Sequence, residues 1–337
     1  MDDLLRILDF VQKKAEQAEV FEVSSQTVLV HFEANRLKQT QSRESTSVAL
    51  RIFKKGKVGF AVGSGVNEVD TLVAMAVETA PFGPSANFDF PSLSDYPDVA
   101  VFDSEVPKIT MEQMAELGSQ LIAKVKEHTP ELLCDVEVIK GVSSVHLVNS
   151  RGGEAKWDRS LFAIDLEGVL TKGTDMLFVG DSEGSCRFLT DVDILANRLI
   201  RQLELAKRKA AISTKQLPII FTPRAVASAL LPPLVFAFSG KAALEGISWL
   251  KDKLGERVFD TRLTIWDDAT LPYCLGSCPC DSEGVPSQRI PLVTKGEATN
   301  FLYDLQTAAL AGKKSTGSGR RLGDRLPVPN TSSVVID

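Results

Sequence analysis

Apolar side chains recur at helical spacing from the start of the chain, with Leu4, Ile7, Leu8, Val11 and Ala15 on one face behind Asp2 and Asp3, whose charges suit a helix N-terminus. The pattern predicts an amphipathic helix over 2–17. From about residue 20 to 63 the period changes. β-Branched and alternating runs at 28–32, 47–53 and 58–62 are separated by polar or glycine-bearing turns such as Lys54, Lys55, Gly56 and Lys57, which predicts an antiparallel meander. Helical spacing returns over 67–80 through Val69, Leu72, Val73, Ala76 and Val77, with Asn67 as the N-cap.

A stretch at 81–103, broken by Pro84, Pro91 and Pro97, has no period and reads as a crossover that runs on to residue 109. The order then repeats. Thr110 and Gln113 form a capping box ahead of Met114, Leu117, Leu121 and Val125, strand patterns follow at 134–149, 154–168 and 174–181, and Leu195, Leu199 and Leu203 mark a helix at 191–207. A local echo, residues 30–36 against 145–151, suits an internal duplication. After Lys215 the character changes to a short apolar strand at 218–221, a helix opened by Thr222 and Pro223 and expected to end or kink at Pro232 and Pro233, a stretch rich in Gly, Pro and Asp from 255, a last helix from Asn300 to Leu310, and an irregular tail. The fold class expected is α+β: an N-terminal domain over 1–214 made of two helix–antiparallel meander–helix units, followed by a β-rich C-terminal domain over 215–337.

Composition narrows the function classes. The 337 residues carry 38 Lys and Arg against 44 Asp and Glu, a net charge of -6, so direct nucleic-acid binding is not expected. The acidic start lacks the basic and apolar regions of a signal peptide, and no apolar run reaches the roughly 18 residues a membrane span needs, so no membrane partner is expected. Five cysteines, an odd number, read as reduced thiols in a cytoplasmic protein.

Candidate chemistry is sparse. His31, His128 and His146 are scattered, and neither HExxH nor HExxxH occurs. Cys274, Cys278 and Cys280 form C-x3-C-x-C, but zinc needs a fourth ligand, so they read as structural thiols with metal ligation as the minor alternative. Asp267, Asp268, Asp281 and Glu283 gather four carboxylates, although adjacent strand residues such as Asp267 and Asp268 face opposite ways. Lys313, Lys314, Arg320, Arg321 and Arg325 make the most basic segment, suited to a phosphate, a peptide carboxylate, an acidic partner or plain solvent. It is not a Walker A loop, because position 307 is Thr.

Ordered motifs in the second half add a resemblance. They are 239–242 (SGKA), 246–250 (GISWL), 265–268 (IWDD), Gly276 and Ser277, 281–286 (DSEGVP), 301–305 (FLYDL), Thr307 and Ala308, and 315–317 (STG). The first half agrees through 18–21 (AEVF), 35–38 (NRLK), 49–53 (ALRIF), 56–61 (GKVGFA) and 80–83 (APFG). The chain resembles the TldD/PmbA family, formerly called modulators of DNA gyrase.

That resemblance implies a zinc-dependent peptidase of two related subunits, in which a TldD-type chain carries HExxxH and a PmbA (TldE) type lacks it. Residues 230–238 (LLPPLVFAF) have neither His nor carboxylate, so the chain falls on the PmbA side and has no catalytic or metal residue to carry over. Zinc is then expected on a TldD-type partner, in a heterodimer acting on unfolded or modified peptides, with roles in peptide-antibiotic maturation and antitoxin degradation. Asp267, Asp268, Ser277, Asp281, Glu283, Gly284, Ser315, Thr316 and Gly317 are the candidates for lining the peptide cleft or touching the partner. The resemblance places residues 327–337 inside the family's C-terminal domain, so a closing segment is expected to be missing. The alternative function is a stand-alone regulatory or binding protein related to DNA gyrase modulation.

Overall fold

The structure, a computed structural model, describes residues 3–65, 69–208, 210–321 and 325–337; Asp2 and Asn67, read above as caps, lie outside them. The two predicted meanders form one antiparallel sheet. The first is β1 (Gln17–Glu33), β2 (Arg36–Lys54) and β3 (Lys57–Gly63), and the second is β4 (Leu133–Asn149), β5 (Glu154–Lys172) and β6 (Asp175–Ser185). The order β3-β2-β1-β4-β5-β6 joins them through their first strands, which pair from Glu19↔Asn149 to Phe32↔Val136. Helices α1 (Asp3–Val11) and α2 (Val69–Thr79) flank the first meander, and α3 (Met111–His128) and α4 (Asp193–Ala206) flank the second. The two echoing heptads fall at equivalent places, the ends of β1 and β4 with the turns that follow.

The strands run longer than hydrophobic periodicity foresees. The outer part of the β1–β2 hairpin is held by polar cross-strand pairs, Ser24 with Thr46 at 3.0 Å, Ser25 with Ser45 at 2.9 Å and Gln26 with Glu44 at 3.0 Å. Such pairs leave no apolar signature. The capping box of α3 is formed as predicted, Thr110 accepting from the Gln113 N–H while Gln113 accepts from the Thr110 N–H.

Alternation gives the sheet two different faces. Ala18, Val20, Val28, Val30 and Phe32 of β1, with Val48, Leu50 and Ile52 of β2, are buried beneath the four helices. Glu19, Phe21, Arg51 and Phe53 point the other way, where Phe88 and Phe90 of the crossover and then the C-terminal region cover them. The chain therefore stacks helices, sheet and C-terminal region in three layers.

The C-terminal region departs from two expectations. Residues 218–221 form no strand, and Ile219 and Ile220 are 72% and 95% exposed, because no neighbouring strand offers them a ladder. Thr222 does cap α5 (Pro223–Ala225), its Oγ1 accepting from the Ala225 N–H at 3.3 Å. A π-helical turn, Val226–Leu230, then leads into α6 (Leu231–Ala237), whose first turn holds Pro232 and Pro233 and so needs no amide donors there. After α7 (Gly240–Leu244) come β7 (Ile265–Asp268), β8 (Arg289–Thr294), β9 (Glu297–Ala298), α8 (Leu305–Leu310), β10 (Gly319–Arg320), β11 (Val328–Pro329) and β12 (Val334–Ile336), in sheets ordered β12-β7-β8-β9 and β10-β11. The last helix thus starts at Leu305, not Asn300, because Asp304 and Thr307 make its capping box while the Asn300 amide donates to the Pro291 carbonyl. Among the described residues, no helix is long and apolar enough to cross a membrane.

A methyl group on Gly118 of α3 would overlap the Phe32 ring of β1. Gly118→Val should therefore cost about 1–3 kcal/mol through overpacking, read as a lower urea midpoint with an unchanged slope.

Candidate functional site

Glu19 and Arg51 stand directly opposite each other on β1 and β2, on the face turned away from the helices. Arg51 donates from one terminal nitrogen to Glu19 Oε2 at 2.9 Å and from the other to Glu283 Oε1 at 2.6 Å, and Arg321 pairs with Glu19 Oε1. Two cations and two anions balance in a layer sealed from water, with no side chain of the four more than 5% exposed. The guanidinium of Arg51 lies 5.2 and 4.9 Å from the ring centres of Phe88 and Phe90, and that of Arg321 lies 5.0 Å from Phe21.

The loop that delivers Glu283 is built by its own carboxylates. Asp281 Oδ1 accepts the N–H groups of Glu283 at 2.9 Å and Val285 at 3.0 Å, while Oδ2 accepts that of Gly319 at 2.8 Å. Glu283 Oε2 accepts the Leu305 N–H at 2.7 Å, at the start of α8. Position 319 must be glycine, since a Cβ there would lie 2.5 Å from Glu283 Oε2. Gly284 turns the loop at φ +77° and packs against Leu147 and Pro91, with its carbonyl accepting the Tyr96 hydroxyl at 3.3 Å.

Burial dominates the electrostatics. It raises Asp281 to about 6 against the pull of its three N–H donors, and it also raises Glu283, against Arg51 and with Asp281 and Asp304 adding repulsion. Burial opposes the charge on Arg51 too, but Glu19 and Glu283 outweigh it and hold the pKa above its ordinary value. Arg321 is pushed down to about 10 by burial, Arg51 adding to the push and Glu19 opposing it, which still leaves it charged at neutral pH.

The other predicted residues are placed singly. Asp267 is buried and accepts the Ser332 and Ser333 N–H groups at 2.7 and 3.0 Å, whereas Asp268 caps its own turn through the Thr270 N–H and hydroxyl. The two adjacent aspartates serve different partners. Ser277 is buried with its hydroxyl unpartnered among the described residues. Ser315 and Thr316 both donate to the Tyr303 carbonyl at 3.1 Å, and Gly317 sits at φ +70° with the Pro286 carbonyl oxygen 2.7 Å from where a Cβ would be. In the basic segment Lys313, Lys314 and Arg325 are exposed, but Arg321 is bound to Glu19, and Arg320 donates to Cys278 Sγ at 2.8 Å and to Ser332 Oγ. The idea of a solvated basic loop fails for these two arginines, because each is drawn into a buried layer that already holds an acceptor.

Zinc does not fit the residues present. Cys278 Sγ faces a cationic donor, the Cys274 carbonyl accepts from Cys186 Sγ at 3.6 Å, and no group of three or more His, Cys, Asp or Glu is arranged to hold a metal among the described residues. His128 bonds Glu204 at 2.6 Å and His146 bonds Glu154 at 3.1 Å, on separate elements. Residues 180–184 (GDSEG) spell G-x-S-x-G, but they run along β6 and make no strand-to-helix elbow for Ser182.

Periodicity alone does not single out Glu19 and Arg51 as members of this network. The signal was a lone charge inside each apolar strand run, Glu19 between Ala18 and Val20 and Arg51 between Leu50 and Ile52, which implies a buried partner.

Two family models match this chain, one described as PmbA/TldA metallopeptidase domain 1 over residues 18–80 and the other as the PmbA/TldA metallopeptidase C-terminal domain over 214–337. They contain all four members of the buried charge network. The chain belongs to the PmbA/TldD family. An uncharacterized protein of Methanocaldococcus jannaschii is 29% identical over 99% of this chain and 78% of its own length, and a metalloprotease of Methanothermobacter thermautotrophicus is 26% identical over 99% and 75%. The metalloprotease PmbA of Escherichia coli O157:H7 is 36% identical over 34% of this chain and 24% of its own. The crystal structure of TldE from Thermococcus kodakarensis shares the fold, with a TM-score of 0.92 at 22% identity, covering 100% of this chain and 78% of that one.

Arg51→Met leaves the buried Glu283 carboxylate without a cation and Glu19 with Arg321 alone, and should cost about 3–5 kcal/mol of folding stability, measured by denaturant titration. In a double-mutant cycle with Glu283→Gln the two losses should fall well short of adding.

Proposed function

We propose that this PmbA/TldD-family chain is a non-catalytic, TldE-like subunit that completes the peptide cleft of a zinc-dependent peptidase, the metal being held by a TldD-type partner. The observation that carries the reading is an apolar surface on and around the segment where a zinc-binding helix would need its ligands. Leu230, Phe236, Ile247 and Trp249 are 42%, 52%, 59% and 50% exposed there, and Ile219 and Ile220, earlier in the same C-terminal region, are exposed as well. A single chain gains nothing from wetting so much apolar area, whereas a partner that covers it does. The segment offers a surface and no donors: residues 230–238 contain neither His nor carboxylate. The metallopeptidase names of relatives support the reaction class, and the free cysteines suit a cytoplasmic setting. The substrates proposed are unfolded or modified peptides, held between the two subunits.

The test mixes the purified chain with a TldD-type subunit from the same source. Peptide hydrolysis and stoichiometric zinc are expected only in the mixture, with both subunits eluting as one complex. Phe236→Glu should lower complex affinity at least about tenfold without changing the chain's own melting. Hydrolysis by the isolated chain, or a mixture that neither associates nor gains activity, would sink the proposal.

A further inference from the structure

Just beyond β6 the chain leaving the N-terminal sheet runs against Tyr273 and Cys274 of the C-terminal region. The Cys186 N–H donates to the Tyr273 carbonyl at 2.9 Å, the Ser185 hydroxyl donates to the same oxygen at 3.0 Å, and the Tyr273 N–H donates to the Ala100 carbonyl at 2.6 Å. These bonds hold Tyr273 at φ +58°, a left-handed conformation that a residue with a side chain adopts only where its surroundings impose it. Cys274 follows at once, and Cys186 Sγ donates to its carbonyl at 3.6 Å. The two thiols are near enough to interact electrostatically. Backbones bonded side by side in this way have the spacing a disulfide spans, with Cα atoms about 4.4–6.8 Å apart. Cys186 is buried with the Arg159 guanidinium bonded to its sulfur, whereas Cys274 is partly exposed, so a small solute meets Cys274 first. Burial raises the Cys186 thiol above its ordinary value, with Arg159 opposing the rise. The remaining cysteines are placed differently: Cys134 lies on β4, Cys278 Sγ accepts from Arg320, and all of Cys134, Cys278 and Cys280 are buried.

We propose that Cys186 and Cys274 are a modification site, joined in a reversible disulfide by hydrogen peroxide, which staples the N-terminal sheet to the C-terminal region. The Cys274 thiolate attacks one peroxide oxygen, the O–O bond breaks, hydroxide leaves, and Cys274 becomes a sulfenic acid. The Cys186 sulfur then attacks the Cys274 sulfur, the S–O bond breaks, and the departing hydroxide takes the Cys186 proton as water. Two thiols and one peroxide thus give one disulfide and two waters, the sulfurs losing the two electrons that the peroxide gains. Arg159 favours the anionic Cys186 during the second attack, and an external dithiol reverses the bond by exchange. The linkage closes the chain between residues 186 and 274, which restricts the unfolded state and stabilises the folded one. Transient, redox-sensing disulfides of this kind are compatible with a reducing compartment. The site lies apart from the apolar side chains of α6 and α7, so it does not rest on the subunit role proposed above.

The test treats the reduced full chain, freed of excess reductant, with hydrogen peroxide. Thiols counted after denaturation should fall from five to three, the two joined sulfurs being lost, and return to five with dithiothreitol. Fragment mass spectra of a non-reduced digest should show Cys186 linked to Cys274. The oxidised chain should unfold at a higher urea concentration than the reduced one, and Cys274→Ser should abolish both the shift and the loss of thiols. Cys186→Ala should leave Cys274 as a sulfenic acid that dimedone captures. Circular dichroism checks the fold of each variant, and Cys274→Ser, at a partly exposed position, keeps the test decisive if Cys186→Ala does not fold. Retention of all five thiols by the folded chain, a bond joining Cys278 to Cys280 or one chain to another, or oxidation of Cys274 without linkage to Cys186 overturns the proposal.

Discussion

The arrangement of this molecule depends on Arg51 being shared between Glu19, its cross-strand neighbour, and Glu283, which lies far along the chain on the C-terminal loop. Each of these groups would be costly to bury alone, and their attraction offsets that cost only when every partner is in place. The knot therefore does less to add stability than to select one docking of the C-terminal region on the sheet. Any slip of a few ångströms would leave charges unpaired beneath a water-free layer. Arg321 completes the balance from a third segment, so β1, β2, the Glu283 loop and the strand pair near Arg320 are all held in register by one neutral cluster.

Much of the sequence motif content follows from this requirement. Asp281 folds its loop by accepting three backbone N–H groups, Gly319 leaves room for the Glu283 carboxylate, and Gly284 makes the turn against Leu147. Residues that look like an acidic catalytic cluster in one dimension thus act as framework in three. The outward consequence is that α6 and α7 rest on a fixed base, with Ala237, Phe238, Ala242 and Ala243 buried against it while Phe236 and Leu244 stay exposed. A cavity of about 280 Å³ lies at the same joint, lined by side chains from both layers.

The sequence by itself determined the elements and their repetition. Period and capping located the four long helices and the six long strands to within a few residues at most ends, because each element buries one face and is marked by it, as Leu195, Leu199 and Leu203 mark α4. Where burial does not mark the chain, the pattern falls short: the polar half of the β1–β2 hairpin leaves no apolar signal, the apolar run at 218–221 predicts a strand that does not form, and Asn300 suggests a helix start although the capping box sits at Asp304 and Thr307. The ordered motifs carried the family, since they record local backbone requirements that are written in consecutive residues.

Only the tertiary structure decided what the charged residues do. Glu19, Arg51, Glu283 and Arg321 come from four separate segments, and nothing in their spacing states that they meet. Helices and strands arise from local periodicity, whereas a buried charge acquires its meaning from whichever distant group folding brings within hydrogen-bond reach.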